Sequence, residues 1–135
     1  MITTSVRIAA RILTGSTYAI LGAAAYKSPG GRVEQARPLL NSMRRVVPLP
    51  DDDVAIVRAN GALQATSGTL LALGLFPRAA AVALAVSLVP TTLAGHAFWA
   101  IEDPNIRYMQ RTQFHKNMAM IGGLLFAALD GKRSK

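Results

Sequence analysis

The stretch from Ala79 to Ile101, AAAVALAVSLVPTTLAGHAFWAI, decides the fold because it contains no formally charged residue. Its polar points are one serine, two threonines and one histidine. A helix needs about 20 consecutive apolar residues to cross the hydrocarbon core of a bilayer. A soluble helix of this length would show a polar face. The stretch therefore predicts a transmembrane helix rather than one helix of a soluble bundle.

Three further apolar segments surround this stretch. Ala59 to Pro77 is uncharged, and the shorter first and last segments are flanked by Lys and Arg side chains that can extend to lipid headgroups. A cleaved signal peptide is the alternative for the first segment. We predict an all-α fold: an integral membrane four-helix bundle forming a single membrane domain over residues 1–135. The predicted spans are residues 7–26, 55–76, 79–100 and 113–130.

A short amphipathic helix is predicted over residues 38–47, between the first and second spans, with Pro38 in its first turn and Pro48 after its end. Such a helix lies in the membrane interface, and a docking surface for a partner protein is the alternative. The acidic triplet that follows is interpreted as a cap of the second span, not as a metal site. The apolar face consists of Leu39, Leu40, Met43, Val46 and Val47.

Composition excludes several kinds of chemistry. The chain of 135 residues has no cysteine, which excludes disulfides, thiol nucleophiles and cysteine-ligated metal centres. The net charge of +8 suits lipid headgroups. The sequence contains no basic stripe interleaved with aromatic residues, so we predict no nucleic-acid partner. No nucleophile with a base, metal set or phosphate loop is evident. We therefore lean against an enzyme and predict no metal, and the one cofactor left as a candidate is a quinone.

Four spans place both termini on one side of the membrane. The ends of the chain are basic and poor in acids, so we expect a protein of the cell membrane with both termini in the cytoplasm. A count of Lys and Arg over all connections favours the opposite orientation. The basic residues in question are Arg7, Arg11, Lys132, Arg133 and Lys135.

A helix rises by about 1.5 Å per residue. Counted from the membrane boundary opposite the termini, several polar side chains of the last three spans therefore reach a similar depth. Polar groups at membrane depth usually pair or line a cavity. In a pocket, Arg58 would bind an anionic or carbonyl group, His96 would handle a hydrogen bond or a proton, and Trp99 would form a wall. The candidate ligand-binding residues are Arg58, Asn60, Gln64, His96, Trp99 and Asn117.

A purely structural interpretation of the same residues stays open. Arg58 would then pair with Glu102 or Asp103, and His96 would bond a backbone carbonyl. Small residues form a second feature of these spans, because they allow membrane helices to approach each other closely. They occur at Gly61, Ala65, Gly68 and Ala72 in the second span and at Gly122 and Gly123 in the last.

Several short motifs extend from Val54 to Leu129. They are Arg58-Ala-Asn-Gly61, Gly68 with Leu70 to Gly74, Arg78 to Ala81, His96-Ala-Phe98-Trp99 with Asp103, and Phe114 to Gly123. In these motifs the chain resembles the DoxX-like family of small four-helix integral membrane proteins. The family name comes from a subunit associated with thiosulfate-to-quinone oxidation, and other members are thought to anchor soluble redox enzymes in oxidative-stress complexes.

The resemblance implies a non-catalytic subunit or scaffold of a membrane complex, linked to redox or oxidative-stress functions. Its partners would be membrane lipid, a protein of the complex and further copies of the chain. The alternative is a quinone- or lipid-binding redox subunit with a pocket at Arg58, His96 and Trp99, and a lesser one is an oligomeric transporter of a small solute. Relatives often carry an acid near Gln64, so a proton-coupled function is weakened. The missing cysteines separate the chain from bundles of the vitamin K epoxide reductase type.

Overall fold

The computed structural model describes residues 1–130, which are all-helical and contain no strand. The all-α prediction is confirmed for this range. The basic residues Lys132, Arg133 and Lys135, used above to orient the chain, lie outside the described residues. The helices are α1 (Ile2–Lys27), α2 (Gly31–Arg44), α3 (Asp53–Leu73), α4 (Pro77–Gly95) and α5 (Pro104–Leu129), with a single 3₁₀ turn at Phe98–Ala100.

The four long helices pack in the order α1, α3, α4, α5, and the short α2 lies across α3 and α4. The core lies where α3, α4 and α5 meet, with Leu71, Leu84 and Leu124 fully buried. Tyr18 of α1 joins this cluster. Helix α1 contacts mainly α3, and α5 contacts mainly α4. The Arg7–Asp130 ion pair links α1 to the residue that follows α5.

Helices α1 and α3 approach each other through glycines. A Cβ atom built on Gly15 would lie 2.5 Å from the Gly68 carbonyl oxygen, and one on Gly61 would lie 2.8 Å from the Gly22 carbonyl oxygen. Side chains would force these backbones apart, so the close packing predicted for the second span is confirmed.

The same prediction for the last span is wrong. A Cβ atom on Gly122 or on Gly123 would meet no atom within 4 Å. These two glycines of α5 do not mediate helix packing among the described residues.

Helix α5 begins at Pro104, about two turns before the predicted start of the fourth span at residue 113. The Asp103 carboxylate accepts hydrogen bonds from the backbone N–H groups of Asn105, at 2.8 Å, and Ile106, at 3.0 Å. Asp103 is thus an N-cap and Pro104 occupies the first helical position. The same Asp-Pro-Asn motif is also typical of a turn, which is why the sequence pointed to a longer loop.

Helix α2 also begins earlier than predicted, at Gly31 instead of residue 38, so Pro38 lies inside it and not in its first turn. It ends at Arg44, and the apolar Val46 lies beyond it with 84% of its surface exposed. The buried residues of α2 are Val33 and Leu40, which face the bundle. The apolar side of this helix therefore packs on α3 and α4.

Two helical segments, Ile2–Lys27 and Pro77–Ala100, are long and apolar enough to cross a membrane by length and composition. Much of the outward-facing surface of the long helices is also apolar, although the first half of α5 exposes Arg107, Arg111 and Lys116. Apolar examples are Leu13 on α1, 71% exposed, Val86 on α4, 65% exposed, and Phe126 on α5, 78% exposed.

Candidate functional site

A cavity of about 360 Å³ lies between α2, α3 and α4, and we call it the α2–α4 cavity. This volume falls in the range of small-molecule pockets. Its walls are mostly apolar side chains of the three helices, its inner end is polar, and Arg32 and Gln35 of α2 stand at its edge. The polar residues at the inner end are Asn60, Gln64 and Thr91, and His96 lies further along the lining.

Three of the six predicted site residues, Asn60, Gln64 and His96, line this cavity. Asn60 and Gln64 lie one turn apart on α3 and belong to one hydrogen-bond network with α4. Asn60 Nδ2 donates to Thr91 Oγ1 at 3.0 Å, and Gln64 Nε2 donates to Ser87 Oγ at 3.0 Å and to Thr91 Oγ1 at 3.2 Å. Ser87 Oγ in turn donates to Asn60 Oδ1 at 2.6 Å. Polar groups of two helices are thereby satisfied in the interior, as burial requires.

His96 follows the last residue of α4 and reaches α5. Its Nδ1 lies 2.7 Å from Gln110 Oε1. A carboxamide oxygen can only accept, so Nδ1 is the donor of this bond. The expected bond to a backbone carbonyl is absent from the described contacts of His96, and Gln110 takes that role.

An ion pair fixes the helix that covers the cavity. Arg44 Nη2, at the end of α2, donates to Asp53 Oδ1 at 2.6 Å, and Arg37 Nε lies 3.4 Å from Asp53 Oδ2. The hydrogen bond from Arg44 lowers the pKa of the Asp53 carboxyl below its usual value, and the Arg37 bond acts in the same direction. Asp52 Oδ1 accepts from the Ala55 N–H at 2.9 Å. The predicted acidic cap is therefore present at Asp52, while Asp53 has the further role of holding α2.

Arg58 does not line the cavity. It lies on the exposed side of α3, and it has no ion pair or side-chain hydrogen bond within residues 1–130. Two residues along a helix are separated by about 200° around its axis, so Asn60 can face the cavity only if Arg58 points away from it. The proposed pairing of Arg58 with Glu102 or Asp103 is not formed.

Trp99 also lies outside the cavity. It belongs to the 3₁₀ turn after α4, is 58% exposed, and packs edge-to-face on Phe98 and Phe114 at ring-centroid distances of 5.3 and 5.9 Å. The aromatic rings of Phe98, Trp99 and Phe114, which we call the aromatic cluster, lie at the junction of α4 and α5.

Asn117 faces a different helix pair from the one that forms the cavity. Its Nδ2 donates to Thr92 Oγ1 at 3.1 Å, joining α5 to α4. Thr91, the neighbour of Thr92, points instead toward α3. Consecutive helical residues differ by about 100° around the axis, which separates Asn117 from the cavity.

Sequence reasoning missed several residues that complete the site. Ser87 and Thr91 had been noticed only as polar points within an apolar helix, yet their hydroxyl groups complete the network with α3. Gln110 had been assigned to a loop. Its position in the second turn of α5 would have followed from recognising the Asp103 cap.

A second, larger concavity of about 630 Å³ lies between α1, the start of α4 and α5. Its lining is mostly apolar, and none of the predicted site residues belongs to it. The Arg7–Asp130 ion pair at its edge has an N–O distance of 3.1 Å and is well exposed, at 57% and 39%. The α2–α4 cavity is therefore the better candidate site, because polar groups from three helices converge there.

Within residues 1–130 no group of three or more His, Cys, Asp or Glu side chains is placed to hold a metal ion. Comparison with known proteins gave one family match. The model of the family described as DoxX matches residues 6–97, which include most of α1 and all of α2, α3 and α4. The motifs of the sequence lay over Val54 to Leu129, so the match extends further toward the N-terminus and stops before α5. No curated protein and no solved structure matches the chain.

Proposed function

The chain belongs to the DoxX family, and from this premise we propose that it is a four-span membrane protein acting as a non-catalytic subunit or scaffold of a membrane complex. Members of the family are small membrane proteins. The proposal places the chain in the cell membrane with both termini in the cytoplasm. It links the chain to redox or oxidative-stress functions through a partner protein.

The distribution of polar groups is the observation that carries the membrane assignment. Large apolar residues cover the outside of the long helices, as at Leu13, Ile20 and Val86. Amides and hydroxyls are instead paired between helices, with Gln64 only 6% exposed. A soluble bundle would hide the apolar groups and expose the polar ones. Lipid reverses this preference, because polar groups need partners inside the protein.

Cysteine labelling tests the proposed topology without a background, since the chain has no cysteine of its own. Single cysteines at Ser28, Asp51, Leu75 and Glu102 would be labelled with a membrane-impermeant maleimide in sealed vesicles of known orientation. We expect the Leu75 site to react from the cytoplasmic side and the other three from the opposite side. Equal labelling of all four from one side would overturn the four-span proposal.

The scaffold role rests on an exposed recognition surface. Trp and Arg side chains dominate protein contacts, and Trp99 and Arg58 are both exposed near the same end of the bundle. The aromatic cluster around Trp99 is held rigidly by ring contacts. A rigid aromatic surface is suited to hold a partner protein at the membrane.

Gentle solubilisation of the native protein, followed by mass spectrometry, tests this role. We expect a protein partner in stoichiometric amount that is lost from the Trp99→Ala variant. The matched control is Phe126→Ala, an aromatic residue that is even more exposed, near the far end of α5. Equal retention of a partner by both variants, or no stoichiometric partner, contradicts the scaffold surface.

The α2–α4 cavity favours a second candidate function, that of a ligand-binding subunit. The ligand would be a quinone or a lipid, as a redox complex in the membrane would supply. Asn60, Gln64 and His96 would contact it, whereas Arg58, Trp99 and Asn117 would not. A small molecule that co-purifies with the chain and is lost from the His96→Ala variant supports this candidate. Its retention by that variant argues against it.

A further inference from the structure

The directions of the hydrogen bonds at the inner end of the α2–α4 cavity are fixed by two hydroxyl groups. The Ser87 hydroxyl donates to Asn60 Oδ1 at 2.6 Å, and the Thr91 hydroxyl donates to the Ser87 backbone carbonyl at 2.9 Å. Each hydroxyl has one hydrogen, so neither has one left for Gln64. The Gln64 atom that contacts both hydroxyl oxygens must therefore be the amide nitrogen, and this settles the orientation of the carboxamide.

The oxygen of Gln64 is consequently free to accept. Both hydrogens of its nitrogen are used by Ser87 and Thr91, and Oε1 has no partner among the described residues. No fully buried side-chain nitrogen or oxygen in residues 1–130 lacks a partner. Gln64 Oε1 therefore borders open space, and the space that Gln64 lines is the cavity.

Asn60 offers the complementary group one turn away. Its Nδ2 carries two hydrogens, and one of them is donated to Thr91. Residues four apart on a helix lie about 6 Å from each other. A donor on Asn60 and an acceptor on Gln64 thus stand side by side at the inner end of the cavity. A hydroxyl group, which accepts and donates at once, matches this pair.

His96 provides a second acceptor nearer to the mouth. In the neutral tautomer that donates from Nδ1 to Gln110, Nε2 is the ring nitrogen with a free lone pair. His96 follows the last residue of α4, five residues beyond Thr91, which bonds both Asn60 and Gln64. A ligand held between Asn60 and Gln64 must therefore be extended to reach His96 as well.

The rest of the lining favours an uncharged molecule. Arg32 is the one formally charged side chain of this lining, and it lies at the exposed edge, where its guanidinium donates to the Ser28 carbonyl at 3.1 Å. The inner walls are apolar. A charged group buried there would have no counter-charge, which costs far more than burying a neutral one.

We propose that the α2–α4 cavity binds an uncharged, largely apolar molecule through a hydroxyl group held between Asn60 and Gln64. The hydroxyl accepts from Asn60 Nδ2 and donates to Gln64 Oε1. A second hydroxyl at the far end of the same molecule donates to His96 Nε2. This inference rests on the ligand-binding candidate function. It adds that the site prefers a ligand with a hydrogen-bond donor, such as a phenol, to a molecule that has only hydrogen-bond acceptors.

β-Naphthol and its methyl ether form a matched pair of probes, because they share a fluorescent ring and differ in the hydroxyl hydrogen. Binding would be measured by fluorescence on the full chain in lipid nanodiscs, with empty nanodiscs as the reference for partition into lipid. We expect β-naphthol to bind about tenfold more tightly than the ether, since one hydrogen bond is lost. Equal affinities overturn the proposal.

Two variants test the two proposed acceptors, Gln64 Oε1 and His96 Nε2, independently. Gln64→Met removes the inner acceptor at nearly constant volume and should abolish the preference for β-naphthol over its ether. His96→Phe should leave that preference intact and abolish the further gain shown by a dihydroxynaphthalene with hydroxyls on opposite rings. Thr69→Val, on the exposed side of α3 and outside the cavity lining, serves as the control and should change neither. If Gln64→Met does not fold, the comparison of probes on the unaltered chain still decides.

The probes also separate this inference from the function on which it rests. If naphthoquinone or the ether binds the chain as tightly as β-naphthol, and His96→Phe weakens that binding, the cavity is a ligand site but does not select a hydroxyl. If every probe partitions as it does into empty nanodiscs, the ligand-binding candidate itself fails, and the hydroxyl preference fails with it. The scaffold proposal is untouched by either result.

Discussion

Arg44, the last residue of α2, and Asp53, the first residue of α3, are joined by an ion pair of 2.6 Å in which both side chains are largely shielded, at 19% and 14% exposure. The pair closes the loop between the two helices. It thereby holds α2 over the cavity, where Leu39 and Met43 form part of the wall. The position of α2 is thus set by charge at its end as well as by apolar packing along its length.

The first prediction concerns the acid stability of this contact. Hydrogen bonding by Arg44 lowers the pKa of Asp53 in the folded protein below its ordinary value of 3.8. A depressed carboxyl pKa contributes stability above the unfolded value, and this contribution is lost as the pH falls through the folded value. Asp53→Asn should therefore lower the Tm at neutral pH, with the deficit shrinking below about pH 4.

Thermal unfolding in detergent between pH 7 and pH 3 measures this effect. Glu102→Gln, which removes an exposed carboxylate, is the control and should change the Tm little at any pH. A deficit for Asp53→Asn that stays constant down to pH 3 would show that the ion pair does not supply the stability.

The second prediction concerns the glycine contact between α1 and α3. A Cβ atom on Gly22 would lie 2.6 Å from the Gly61 carbonyl oxygen, so Gly22→Ala should push the helices apart and destabilise the fold by about 1–3 kcal/mol. Gly122→Ala is the matched control, because its Cβ meets open space and alanine favours a helix. Denaturation in mixed micelles compares the two, and equal losses would mean that the close approach is not needed.

The third prediction concerns the polar network between α3 and α4. Ser87→Ala removes the donor to Asn60 Oδ1 and one acceptor of the Gln64 amide. Leaving such groups without partners costs about 1–3 kcal/mol in an interior. Thr69→Ala removes a hydroxyl that bonds the backbone of its own helix at Ala65, on an exposed face, and should cost less than about 0.5 kcal/mol. Unfolding free energies of the two variants in the same detergent provide the measurement.

The fourth prediction is that the other ion pair contributes little. Arg7 and Asp130 are exposed by 57% and 39%, and exposed pairs contribute about 0–1 kcal/mol. Arg7→Gln should thus shift the Tm less than Arg44→Gln does. The reverse order would indicate that the end of the bundle near both termini is held by charge.

The sequence was most informative where a pattern has one physical interpretation. The uncharged run from Ala79 to Ile101 predicted the apolar helix α4, although that helix ends at Gly95. Glycines seven residues apart, Gly61 and Gly68, likewise predicted a smooth surface on one side of α3. Helix ends were harder to place. Asp103 followed by Pro104 is equally typical of a turn and of an N-cap, and the choice depends on what packs beyond it.

The site could be predicted only in part, because its residues were grouped solely by their depth in the membrane along each helix. Depth brought Asn60, Gln64 and His96 together correctly, but it could not say which way each helix is rotated. Rotation is set by packing partners, such as the glycine contact of α3 with α1. That contact turns Asn60 toward α4 and leaves Arg58 outside, and no sequence pattern around Arg58 indicates this orientation.

The partnership of α1 with α3 has a consequence for biogenesis. Synthesis proceeds from the N-terminus, so α1 is complete before any residue of α3 has been added to the chain. Its glycine face, with Gly15 and Gly22, has no partner helix until the chain has been extended to Leu73. The tightest helix contact of the fold is therefore one that forms late, after α2 has also been made.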